Sequence, residues 1–119
     1  METTNALAWT QVSEIQLIYK SKVKASDRPH ISTSSDAYHI FKNNWDENKI
    51  GFIEQFKILL LNRCNNVLGI YELSTGGVSG TVADPKLVFA AALKANASNI
   101  ILCHNHPQGI LNRAELINY

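Results

Sequence analysis

The chain has 119 residues with eleven Lys+Arg, ten Asp+Glu and a net charge of +1, a size that fits one domain and a balance that creates no strong field toward nucleic acid or membrane. Hydrophobic residues make up 45%, charged residues 18%, and there are only three prolines, which excludes a disordered or collagen-like chain. The two cysteines, Cys64 and Cys103, cannot build a disulfide framework, no basic run precedes an apolar one near Met1, and no stretch approaches the roughly 20 apolar residues of a membrane helix, so the expected compartment is the cytoplasm.

In chain order, residues 1–12 carry no periodicity and are expected to form a loose terminal segment ahead of a single domain over 13–119. Residues 14–24 alternate and carry Lys20, Lys22 and Lys24 at every second position, which predicts an edge strand. A turn follows at Ser26-Asp27-Arg28-Pro29. Ser34 and Ser35 offer N-caps, and Ala37, Ile40, Phe41 and Trp45 recur at helical spacing, so a helix should run to about Asp46. The apolar run 56–61, the Asn-rich connection 62–66 and the second run 67–73 predict an antiparallel hairpin, with a short extension at 78–82. Asp84 as N-cap and Pro85 at the first helical position open a helix ending at Asn96, with Leu87, Val88, Ala91, Ala92 and Ala95 on its buried face. A last strand over 99–103 then delivers His104-Asn105-His106-Pro107. The expected fold is α/β, a mixed sheet flanked by helices in the order β-α-β-β-α-β.

Histidines at i and i+2 on extended backbone project to one face, so a single zinc ion can take a nitrogen from each at about 2.0–2.1 Å. Pro107 biases His106 toward extended geometry. The same spacing fits two histidines bonded to loop carbonyls, because a metal site needs a third ligand. Cys103 precedes His104 and points to the opposite face, which predicts a core thiol. Gly76, Gly77 and Gly80 lack the Gly-Lys-Ser/Thr ending of a phosphate loop and read as a backbone turn. A deaminase zinc site would need His-x-Glu and Pro-Cys-x-x-Cys, and neither is present.

The run from Gly77 through Asp84-Pro85 to Cys103-His104-Asn105-His106-Pro107-Gln108-Gly109, together with Glu54-Gln55-Phe56 and the apolar residues up to Asn62, resembles the RadC-like JAB domains. The resemblance extends over about residues 10–115, and these domains belong to the JAMM, or MPN, metalloprotease superfamily with its cytidine-deaminase-like architecture. It implies zinc, with His104 and His106 as metal ligands and Glu54 as the general base that takes a proton from an activated water and returns it to a leaving amine. Strict counting for the family's Ser and Asp lands on Ala114 and Ile117, whose side chains bind no metal. A two-residue deletion instead places Asn112 in the Ser position, as polar support for an oxyanion, and Glu115 in the Asp position as a metal ligand. With Glu115 as a third donor zinc would be about stoichiometric, but the two-residue deletion shifts the segment that carries Glu115 by about half a helical turn, so His104 and His106 are expected to be the sole donors and zinc occupancy low.

Gln108 stands where the family usually has Ser, and Tyr119 ends the sequence where the family continues. The resemblance thus implies a C-terminally short domain whose sheet would be covered by a homodimer, by a partner chain, or by rearranged packing of Trp9 and the N-terminal segment. The implied function is zinc-dependent hydrolysis of a peptide or isopeptide. The alternatives are a metal-dependent nuclease and a non-catalytic interaction or DNA-repair-associated module that has lost the site. Lys20, Lys22, Lys24 and Arg28 make a small basic cluster able to touch DNA phosphates, but with a net charge of +1 and no aromatic interleaving they fit a solvated, aggregation-resistant edge better.

Overall fold

The computed structural model describes residues 11–76 and 83–106, with the backbone of two further short strands at 110–111 and 115–118. Helices α1 (Ser34–Asn43) and α2 (Glu47–Ile50) precede strands β1 (Gln55–Leu61) and β2 (Val67–Thr75). Helix α3 (Pro85–Ala95) and strands β3 (Asn99–His106), β4 (Ile110–Leu111) and β5 (Glu115–Asn118) follow. The sheet runs in the order β2-β1-β3-β4, and β5 pairs with the other stretch of β3. Every pairing among these strands is antiparallel, so the α/β architecture is as expected while the sheet is antiparallel where a mixed one was predicted.

The nearly continuous apolar run of β1 reflects its central place, since both of its faces are covered. Leu59 and Leu61 join Ile101 and Cys103 against Ile31, Ala37, Phe41 and Trp45 from the α1 side. Ile58 and Leu60 join Ile100 and Leu73 against Ala92 and Ala95 of α3. Period-2 alternation therefore splits one hydrophobic stretch between two cores. Lys57 is the exception on the α1 side: its ammonium donates to Asn44 O at 3.0 Å and lies 4.7 Å from the Trp45 ring. Burial pulls its pKa below the ordinary lysine range, with Glu72 across the strand pair opposing that shift.

The turn between β1 and β2 is fixed by asparagines. Asn62 Oδ1 accepts the amides of Cys64 and Asn66, both at 3.0 Å, and Asn65 adopts φ 61°, which asparagine tolerates better than most residues. Helix α3 begins and ends as its residues dictate: the Asp84 carboxylate accepts from Lys86 N at 2.9 Å, Pro85 fills the first turn, and Asn96 closes the helix in the left-handed region.

Several expectations differ from the structure. Residues 14–24 form no strand: they are largely exposed and tied to β2 by the Tyr19 hydroxyl donating to Leu68 O at 2.7 Å. A strand needs a backbone ladder, and alternation alone does not supply a partner. Helix α1 stops at Asn43 and is capped by Thr33 in a capping box with Asp36, while Asp46 starts α2 and Trp45 turns into the core between them. On α3, Leu87 is 41% exposed, whereas Val88 and Ala91 are half-buried and Ala92 and Ala95 buried. The small side chains make the close contact with the sheet, and Leu87 lines a groove of about 310 Å³ beside residues 16–19. The extension expected at 78–82 and residues 1–10 of the terminal segment lie outside the described residues.

Candidate metal centre

Strand β3 extends through His106, farther than the apolar run suggested, so both histidines sit on regular strand backbone. Alternation places His104 and His106 on the α3 side of the sheet and Cys103 and Asn105 on the α1 side. His104 pairs across the ladder with Phe56, and their rings stack at 4.7 Å between centroids. The two imidazoles lie 5.2 Å apart with an edge-on inclination of 80°. Carrying the β1–β3 register two residues past Phe56 sets Glu54 level with His106. One ligand-capable atom each from Glu54, His104 and His106 accordingly lies within 4.8 Å of the others, with Glu54 and His104 half-buried and His106 exposed. Two imidazole nitrogens and a carboxylate oxygen are donors that zinc accepts, so these residues fit the ion their sequence pattern implies.

Two other features hold this arrangement, and sequence reasoning passed over both. Phe56 gives His104 an apolar ring to lie on. Asn105 is fully buried, and its amide bonds to the segment that carries Glu54: Oδ1 accepts from Gln55 N at 2.8 Å, and Nδ2 donates to Ile50 O at 2.7 Å and Ile53 O at 2.9 Å. From the β2 side, Gly76 N donates to Glu54 O at 2.8 Å. The only sequence signal for Asn105 was its place between the histidines.

Asn112 lies outside the described residues, and Glu115 is described by its backbone alone, which pairs with Leu102 at the start of β5. Glu72 is spent on the opposite side of the sheet, where its carboxylate accepts from Gln55 Nε2 at 3.0 Å and Thr75 Oγ1 at 2.7 Å. Glu47 is exposed in the first turn of α2. Lys20, Lys22 and Lys24 are exposed along residues 11–24.

Cys103 is buried beneath the sheet and Cys64 is exposed in the hairpin turn. Burial pushes the Cys103 thiol up to about 11. The folded chain holds this proton more tightly than the unfolded chain, so the thiol's contribution to stability is complete below the ordinary thiol range and is lost as pH rises toward 11. Iodoacetamide at pH 8 is expected to alkylate Cys64 and spare Cys103 until denaturant is added, as peptide mass spectrometry would read. Equal labelling of both in the native protein would contradict the burial of Cys103.

Residues 31–115 match the family described as RadC-like JAB domain. A UPF0758 protein of Flavobacterium johnsoniae is 41% identical over 87 residues, covering 71% of this chain and 36% of that protein. A UPF0758 protein of Clostridium botulinum is 32% identical over 106 residues, covering 89% of this chain and 45% of that protein. One from Clostridium kluyveri is 43% identical over 56 residues, 47% of this chain and 25% of its own length. The chain thus spans less than half the length of these relatives. Among the described residues no helix is long and apolar enough to cross a membrane.

Proposed function

The chain belongs to the RadC-like JAB domain family, and on that footing we propose that it is a zinc-dependent hydrolase acting on peptide or isopeptide bonds. The observation that carries this reading is the approach of Glu54, His104 and His106 to within 4.8 Å on one side of the sheet. His104 and His106 would hold the ion through one imidazole nitrogen each. A zinc ion there supplies Lewis acidity toward a carbonyl oxygen and lowers the pKa of water toward neutrality. Glu54 accepts the proton of the attacking water as its oxygen bonds to the carbonyl carbon. The carbon–nitrogen bond then breaks, and Glu54 passes the proton to the departing nitrogen, leaving a carboxylic acid and an amine.

Glu54→Gln removes proton transfer while leaving both imidazole donors in place, because glutamine keeps the shape of the side chain and cannot take the proton. Zinc-loaded wild-type protein is expected to cleave members of a panel of peptides and isopeptide-linked dipeptides. The Glu54→Gln variant should still take up zinc and turn over about 10²–10⁴-fold more slowly. Wild-type turnover no faster than that of the variant would oppose hydrolysis and favour a module that binds the cation without using it.

A further inference from the structure

We propose that Asn105 is a positioning residue that couples Glu54 to the histidine pair, so that Glu54 helps to hold a cation there only while the Asn105 amide is in place. This rests on the metal-centre reading above and adds a residue to it. The β1–β3 ladder pairs residues as far as Phe56 with His104. Glu54 lies two positions beyond that pair, with its carbonyl accepting from Gly76 N on the β2 side.

On the β3 side, Asn105 ties this segment to the histidine strand. Its amide grips the chain on both sides of Glu54, at Gln55 N and at Ile53 O, and reaches back to Ile50 O at the end of α2. The side chain doing this is fully buried and belongs to the residue between the two histidines. Any displacement of the segment 50–55 relative to His104 and His106 must therefore break at least one of these bonds. The chemistry is specific to asparagine: two donors on one atom meet two carbonyls, and an acceptor on the other meets an amide. Aspartate lacks the donors, alanine lacks all three groups, and glutamine is one methylene too long for the same three contacts.

A merely structural buried amide would lower stability when removed and would disturb the cation equally whether or not Glu54 carries a charge. A positioning role predicts instead that its effect disappears once Glu54 has lost that charge. The test is a double-mutant cycle on cobalt(II) affinity, followed by visible absorption of the bound ion in the full chain at pH 7.5. Asn105→Ala and Glu54→Gln are each expected to weaken cobalt binding about tenfold, and the double variant to bind within about twofold of Glu54→Gln alone. Unchanged affinity in Asn105→Ala, or the same loss in both backgrounds, would overturn the positioning role and leave the metal centre standing. Failure of wild-type protein to bind cobalt would overturn the metal centre and the role with it. If Asn105→Ala proves unfolded by circular dichroism, Asn105→Ser, which keeps a hydroxyl in the buried position, carries the same cycle with the same expected and contrary results.

Discussion

Replacing His104 by alanine is expected to weaken zinc binding by at least about a hundredfold, more than the loss of any group that only supports a ligand. His104 is the half-buried member of the pair, with its ring centroid 4.7 Å from that of Phe56 and 5.2 Å from that of His106. The substitution removes a nitrogen donor without touching the buried residues of either core, so the cost in folding free energy should stay near 1 kcal/mol. Calorimetric titration with zinc reads the first effect and urea denaturation the second. A variant that binds zinc as wild type does would remove His104 from the centre.

The largest effect on stability is expected from Phe41→Ala. Phe41 is fully buried at the middle of the α1-side cluster, inclined against Trp45 with ring centroids 6.2 Å apart. Its removal costs about 3–5 kcal/mol in lost burial and cavity formation, against a total of about 5–15 kcal/mol for an ordinary domain. Urea denaturation followed by circular dichroism should show the midpoint falling steeply or the folded baseline disappearing. A shift of less than about 1 kcal/mol would mean that α1 contributes little to holding the sheet, contrary to its packing on Leu59, Leu61 and Ile101. Because Phe41 and the histidines lie on opposite sides of the sheet, whatever fraction of the variant stays folded should keep its affinity for zinc.

The parts of this fold that were legible in the sequence are those decided by neighbouring residues. Asp84, Pro85 and Asn96 mark the ends of α3 by local hydrogen bonding and backbone preference, and the structure uses all three in that way. The hairpin follows from two apolar runs flanking an Asn-rich turn. Residues 14–24 show where such reasoning stops. Their alternation suits a strand, yet pairing depends on a partner edge, and the arm meets β2 through a tyrosine hydroxyl instead. Leu87 is a similar case, since helical periodicity defines a face but the width of that face is set by how closely alanines bring α3 to the sheet.

At the site, the histidine spacing was visible because both residues lie on one strand. The approach of Glu54 became legible only through family resemblance, since nothing in the chain's local pattern brings residue 54 to residue 106. Asn105 is the hardest to read from sequence, because its partners at 50, 53 and 55 are some fifty residues away, and a lone asparagine carries no sign of what its amide will meet.

X-ray absorption at the zinc edge of the loaded wild-type protein tests the metal centre most directly, because it reads the atoms around the ion. Two imidazole rings with zinc–nitrogen distances of about 2.0–2.1 Å and no sulfur are expected, with the imidazole signal reduced or absent in His104→Ala. Sulfur scatterers at about 2.3 Å, which would place the ion on Cys64 or Cys103, or a shell without imidazole, would contradict a centre built from His104, His106 and Glu54.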